Sequence, residues 1–75
     1  MTNNEQTQQA VDEINKQIDD IILKAMDQFA QRHNEVEGDY KYMIDYNANE
    51  FLTKVIPSEF NYQKYWDYYQ EKRRQ

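Results

Sequence analysis

Cysteine is absent from this 75-residue chain, and glycine, proline and histidine occur once each. Without cysteine the chain has no disulfide framework and no thiolate metal site, and one histidine cannot build a histidine-rich zinc site. One glycine cannot supply a glycine-rich phosphate loop. The scarcity of glycine and proline favours helices over a turn-rich all-β fold. Absence of cysteine also fits a reducing compartment, so we expect a cytoplasmic location.

Long apolar runs are missing as well. No stretch approaches the roughly 20 apolar residues that a membrane-spanning helix needs. The segment from Met1 to Gln9 has neither the basic start nor the apolar run of a signal peptide. We therefore expect no secretion signal and no membrane partner.

Basic residues are outnumbered, with 9 Lys and Arg against 14 Asp and Glu and a net charge of −5. Residues 1–39 carry nine acids against three bases, a net of −6, whereas residues 60–75 carry four bases against two acids, a net of +2. An acidic body disfavours direct contact with nucleic acid or anionic lipid, because phosphate recognition needs cations. So short a chain is marginally stable alone, and binding to a partner or a second copy is a common remedy.

The first half of the chain predicts one long amphipathic helix. Its apolar residues recur every three or four positions, and the positions that repeat at seven form a short heptad seam. Residues 1–8 look disordered, Thr7 is a plausible N-cap, and Gly38 is the natural stop. Such a helix is long for a 75-residue domain, so we expect it to project, with its stripe partly covered in a dimer or a target. The candidate self-association residues are Val11, Ile14, Ile18, Ile21, Ile22, Ala25 and Phe29, with Met26 on the same stripe.

Two further helices are predicted. Residues 40–56 fit a helical face, with Asp39 as a cap; the alternation of residues 40–46 leaves a strand as the rival interpretation. Pro57 breaks the chain, and Ser58 or Asn61 caps a third helix that runs to near Arg74. The expected apolar positions of the second helix are Tyr40, Ile44, Ala48, Phe51, Leu52 and Val55. The sequence thus predicts a small all-α, three-helix domain over residues 9–75, after a disordered terminus over residues 1–8.

The third predicted helix holds the densest aromatic cluster, six of the chain's eleven aromatic residues within residues 60–70. Tyrosine and tryptophan carry a polar atom, which suits a wet protein interface. The alternative is that part of this face is core. Seven tyrosines exceed what so small a core hides with every hydroxyl satisfied, so some of Tyr40, Tyr42, Tyr46, Tyr65 and Tyr68 should be exposed. The candidate partner-binding aromatic residues are Tyr62, Tyr65, Trp66, Tyr68 and Tyr69.

A row of carboxylates lies opposite the apolar stripe of the first helix. Asp12, Asp19, Asp20 and Asp27 form this row, and we include them among the candidate partner-binding residues. Carboxylates on a rigid helix can imitate a phosphate backbone and occupy the basic groove of a nucleic-acid enzyme. The alternative is an ordinary solvated face that keeps a small protein soluble, and Lys16 interrupts the row.

The sequence contains no motif for catalysis, cofactor binding or metal binding. The cluster Glu35, Glu37 and Asp39 lacks an apolar surround that would raise a carboxyl pKa, and its spacing misses that of a calcium loop. His33 stands alone near the end of the first helix, a position typical of a surface or dipole contact. We therefore expect no enzyme, no cofactor and no metal.

Three functions remain as expectations. The first is an inhibitor or regulator that docks acidic and tyrosine-rich surfaces onto a basic protein such as a nucleic-acid-handling enzyme. Small acidic phage inhibitors of host defence have this general composition, although no residue pattern carries that analogy. The second is a self-associating helical module, a homodimer through the heptad seam. The third is a weak single-strand binder that uses the C-terminal aromatic residues with Lys64, Lys72, Arg73 and Arg74.

Overall fold

The computed structural model describes residues 2–73, with side chains from Asn4 onward. Helix α1 spans Thr2–Glu35, α2 spans Tyr40–Glu50 and continues into a π-helical segment at Phe51–Val55, and α3 spans Tyr62–Lys72. The small all-α, three-helix architecture with a long N-terminal helix is confirmed. Residues 40–46 are helical, so the strand alternative is wrong. Arg74, to which α3 was expected to extend, lies outside the described residues, as does Met1.

The beginning of α1 differs from the sequence-based expectation. Residues 2–8 form its first turns, where disorder was expected, and Thr7 lies inside the helix instead of capping it. Glutamate and glutamine at positions 5, 6 and 8 are good helix formers, and Gln8 donates a hydrogen bond to Asp12 one turn further on at 2.9 Å. The division into a terminus and a domain over residues 9–75 stays a prediction.

Of the helix-end predictions at residues 38, 39 and 61, two hold and one does not. Gly38 follows α1 with a φ of +62°, a left-handed conformation that glycine adopts without steric cost. Asn61 caps α3, because its Oδ1 accepts the backbone N–H of Lys64 at 3.3 Å. Asp39 does not cap α2: its backbone is already helical and its side chain makes no capping hydrogen bond.

The π-helical segment changes which side chains after α2 face the core. The N–H of Ile56 donates to the carbonyl of Phe51 five residues earlier, which widens the last turn. Leu52 is buried, but Val55 is turned outward, and Tyr40 at the other end of α2 is exposed as well. Both had been expected on the apolar face. The buried part of that face is therefore centred on Ala48 and Leu52.

The core lies where α2 and α3 pack against the C-terminal half of α1. Helix α1 contributes a row at four-residue spacing, Ile22, Met26 and Ala30, which shares Ile22 with the candidate self-association residues. Partly buried side chains surround this core, among them Ile18, Ala25 and Phe29. Its buried residues are Ile22, Met26, Ala30, Ala48, Leu52, Tyr65 and Tyr69.

The N-terminal half of α1 projects from this core. Residues 4–17 are all exposed, and the described chain measures 57 × 22 × 14 Å with a radius of gyration of 15.4 Å. A compact chain of this length would have a radius near 11 Å. The expected projection is thus present. None of the helices within residues 2–73 has the length and apolar character to cross a lipid bilayer.

Candidate interaction surfaces

The aromatic row of α3 belongs mainly to the core. Tyr65 and Tyr69 are 2% and 0% exposed, whereas Tyr62, Trp66 and Tyr68 are partly buried against the same cluster. Tyr65 was one of five tyrosines of which some were expected to be exposed, and it is not among those that are. Tyr65 and Tyr69 offer no docking area in this fold. A partner-binding role for the three partly exposed rings stays a prediction.

Carboxylates are what allow so many tyrosines to pack against this small core. The Tyr65 hydroxyl donates to Asp19 Oδ1 at 2.6 Å, and the Tyr68 hydroxyl donates to Asp27 Oδ1 at 2.8 Å. The Tyr62 hydroxyl instead accepts a hydrogen bond from Asn49 Nδ2 at 2.6 Å. Hydrogen bonds to a charged acceptor are stronger than neutral ones. The acidic row of α1 therefore has a structural use that its pattern did not reveal.

Asp19 is the most heavily used member of that row. Its Oδ1 also accepts Lys64 Nζ at 2.8 Å. The hydrogen bond from Lys64, followed by that from Tyr65, lowers the pKa of the Asp19 carboxyl below its usual range. Stability from this contact is present above about pH 4, the ordinary aspartate pKa, and is lost as pH falls through the lowered folded-state pKa. Asp12 and Asp20, in contrast, are exposed.

A second carboxylate, Asp45 on α2, joins all three helices and was not singled out from the sequence. Its Oδ1 accepts the Tyr69 hydroxyl at 2.6 Å and Arg73 Nη1 at 2.7 Å, and it lies 3.6 Å from His33 Nε2. Asp45 precedes the buried Ala48 by three residues, so it borders the apolar face of α2. In the sequence, this position at the border of the apolar face was the only sign that Asp45 could accept hydrogen bonds from the tyrosine-rich third helix.

His33 is partly buried at this junction. Its ring stands edge-on to Tyr69 at a centroid distance of 6.4 Å, and its buried Nδ1 makes no hydrogen bond within the described part of the chain. Lys41 Nζ donates to the His33 carbonyl at 2.7 Å. With Asp45 and Arg73 these residues line a surface cleft. Lys41 and Arg73 already donate to acceptors within the chain, so the contacts of the cleft serve the packing of the helices.

Within residues 60–73 the basic side chains do not form a cationic groove. Lys64 pairs with Asp19, and Arg73 pairs with Asp45. Lys72 Nζ lies 5.4 Å from the centroid of the Tyr68 ring. Among residues 60–73, then, each of these cations is directed to an intramolecular contact. Single-strand binding needs cations beside free stacking rings, so this geometry gives that alternative no support.

The exposed aromatic surface lies on α2. Tyr40, Tyr42 and Tyr46 are 64%, 73% and 64% exposed, and Met43 beside them is 57% exposed. We call these four residues the tyrosine face. The expectation that some of the five tyrosines Tyr40, Tyr42, Tyr46, Tyr65 and Tyr68 are exposed is confirmed by these three, whereas Met43 was not singled out. The neighbouring carboxylate of Glu50 raises the pKa of Tyr46 through a hydrogen bond, and Lys54 bonds that carboxylate at 2.8 Å.

The heptad seam of α1 is divided between core and solvent. Ile22 is in the core, and Ala25 and Phe29 pack partly against it, with the Phe29 ring 5.8 Å from that of Phe51. The other apolar positions of the seam continue toward the projecting half of α1 as a stripe that is exposed except at Ile18, which packs partly against the core. We call it the α1 stripe. It consists of Val11, Ile14 and Ile21, which are 43%, 53% and 63% exposed, and the partly buried Ile18.

Comparison with known proteins assigns this chain to no class. No protein family profile, no curated protein sequence and no solved structure matches it.

The buried tyrosine hydroxyls give the fold a defined alkaline limit. Burial, followed by the hydrogen bond to Asp19, raises the pKa of Tyr65 to about 12, and burial also raises the pKa of Tyr69. An unfolded tyrosine titrates near pH 10. The unfolded state therefore loses these protons first, and stability is intact below about pH 10 and falls as pH rises toward 12.

We expect the urea midpoint of the parent to fall as pH rises from about 9 to about 11. The urea midpoint of Tyr65→Phe should fall less steeply with pH, because this variant lacks one of the titrating hydroxyls, although its midpoint is lower at the start. Circular dichroism in urea at several pH values measures both slopes. Equal slopes for the parent and Tyr65→Phe would show that this hydroxyl is not coupled to folding.

Proposed function

We propose that this chain is a non-catalytic, acidic protein-binding inhibitor or regulator that docks the tyrosine face of α2 onto a partner with a basic surface. The observation that carries the proposal is the exposure of four large side chains, all more than half exposed, on one helix of 11 residues. Small folded proteins rarely leave contiguous large apolar side chains in water unless these make contacts elsewhere.

The chemistry of the tyrosine face suits a protein partner. Tyrosine and methionine are enriched at the centres of protein interfaces, where a tyrosine buries a large ring and still satisfies its hydroxyl. Tyr42 and Tyr46 are one helical turn apart, so their rings project from neighbouring points of α2. A guanidinium or ammonium group can also lie over such rings, which favours a basic partner.

The charge of the chain points to the same class of partner. Asp12, Glu13 and Asp20 are exposed on α1, and the net charge is −5. Summed charge of one sign steers a partner of opposite sign during association, even when the charges lie outside the contact. A basic groove that handles nucleic acid is one such surface, and occupying it would inhibit the enzyme that owns it.

The tyrosine face is tested by affinity capture from a nuclease-treated bacterial lysate. Tagged parent and Tyr42→Ala/Tyr46→Ala are compared with a matched control, Gln31→Ala/Gln63→Ala, which also shortens two exposed side chains. We expect a basic protein held by the parent and the control, with affinity at least about tenfold weaker for the tyrosine variant, because interface tyrosines carry 1 kcal/mol or more each. Equal capture by the tyrosine variant would remove α2 as the docking face.

The contribution of charge needs a separate measurement on the captured partner. Asp12→Lys/Asp20→Lys should slow association severalfold and flatten its dependence on salt, with little change in thermal stability since both side chains are exposed. Stopped-flow mixing at two salt concentrations gives the rates. An association rate that does not respond to either change would contradict a basic partner.

A further inference from the structure

The α1 stripe is an apolar feature that the three-helix packing leaves largely uncovered, with only Ile18 packed partly against the core. Its members follow the spacing i, i+3, i+7, i+10, which is the seam of a two-helix coiled coil. The three-helix core uses a different row of α1, centred on Met26 and Ala30. Covering the stripe therefore requires no rearrangement of the core, and the helix that would present it is already formed.

The residues that flank the stripe indicate what covers it. On the projecting half of α1 the positions on its two sides are Gln8, Ala10, Asn15 and Gln17, and none is charged. The acids of this half, including Asp12 and Glu13, lie further round the helix, away from the stripe. Flanking charges normally set the choice of partner in a two-helix seam.

This neutral border distinguishes the possible occupants. A basic partner would be selected by acidic residues beside the stripe, and these are missing there. A second copy of this chain carries the same net charge of −5, so it can approach closely only along a border without charge. Along the projecting half of α1 the stripe has such a border on both sides, and the charged residue that flanks its other end, Lys24, is basic, so no acidic residue borders the stripe.

We propose that two copies of this chain associate through the α1 stripe, with their first helices antiparallel. In this register Val11 of one copy meets Ile21 of the second copy, and Ile14 meets Ile18, so the apolar stretch from 11 to 21 is matched about its own centre. The antiparallel arrangement places the two cores at opposite ends and opposes the two helix dipoles. Gln17 of each copy then lies near the two-fold axis.

The association is measured by sedimentation equilibrium of the full chain up to roughly 100 µM, a range suited to a small interface. We expect the parent to dimerise and Ile14→Asp to remain monomeric with unchanged helical content, since Ile14 is exposed in the folded monomer. Gln9→Asp is the matched control, because it adds the same charge to an exposed position away from the stripe and should dimerise like the parent. A monomeric parent, or a dimeric Ile14→Asp, would overturn the proposal.

The antiparallel register has its own test, which the absence of native cysteine makes clean. A short bis-maleimide should cross-link Gln17→Cys efficiently and Gln9→Cys poorly, because only the first lies beside the axis. Equal cross-linking of the two variants would refute the register. Tyr42→Ala/Tyr46→Ala should sediment as a dimer, so loss of the tyrosine face and loss of the seam give different results.

Discussion

Tyr69→Ala is expected to leave most molecules unfolded near body temperature. Tyr69 is fully buried among the residues of all three helices, and removal of a buried aromatic ring costs about 3–5 kcal/mol. A chain of this size has a total stability of roughly 4–11 kcal/mol at about 0.05–0.15 kcal/mol per residue. The variant also deprives Asp45 of a hydrogen-bond donor. Thermal melts followed by circular dichroism at 222 nm measure the loss.

Tyr69→Phe separates the ring from its hydroxyl. This variant keeps the packing and loses the 2.6 Å hydrogen bond to Asp45, so we expect a cost of about 1.5–3 kcal/mol and a folded protein at room temperature. Tyr42→Ala, which truncates a tyrosine that is 73% exposed, is the matched control and should stay within about 0.5 kcal/mol of the parent. A Tyr69→Ala melt that coincides with that of the control would mean that the core is not where the structure has it.

The second large effect concerns two adjacent isoleucines of α1. Ile22 is 1% exposed and belongs to the core, whereas Ile21 is 63% exposed on the α1 stripe. Ile22→Ala should destabilise the fold by about 2–5 kcal/mol, because it removes buried methylene groups and leaves a cavity. Ile21→Ala should change stability by no more than about 0.5 kcal/mol. Both variants contain the same substitution one residue apart, so helix propensity cancels between them.

The pair must be compared at low micromolar concentration, where dimerisation of the chain does not add to its stability. Urea titrations of the two variants and the parent give the free energies of unfolding. At high concentration the outcome should change, because Ile21→Ala also weakens the proposed seam. Similar losses for both variants at low concentration would indicate that the whole heptad seam is intramolecular core, which contradicts the division of the stripe described here.

The aromatic face of α3 could be predicted from the sequence, but its role could not. Periodicity showed that the aromatic residues of α3 share one face, but it could not show whether that face is core or docking surface. The answer depends on whether the hydroxyls find acceptors, and those acceptors, Asp19 and Asp45, are 46 and 24 residues away in the chain. A tyrosine bonded to a distant carboxylate and one bonded to water have the same local sequence.

The second helix shows the same limit of periodicity. Tyr40 and Val55 fit the apolar period of the second helix, yet both point outward. The π-helical segment after Glu50 changes the phase of that helix, and α1 covers only the part centred on Ala48 and Leu52. A five-residue hydrogen-bonded turn has no clear sequence signal, so the outward position of Val55 could not be drawn from periodicity alone. Tyr40 precedes that turn, and it is exposed because the core covers α2 only around Ala48.

The sequence by itself determined that this is a small all-α protein with a long acidic first helix, because composition, helical periodicity and the positions of Gly38, Pro57 and Asn61 are local properties of the chain. Only the tertiary structure decided which half of the apolar seam enters the core, which tyrosines reach solvent, and which carboxylates are engaged as acceptors. Those outcomes depend on pairings between residues far apart in the chain, where packing and hydrogen-bond geometry choose among faces of similar composition.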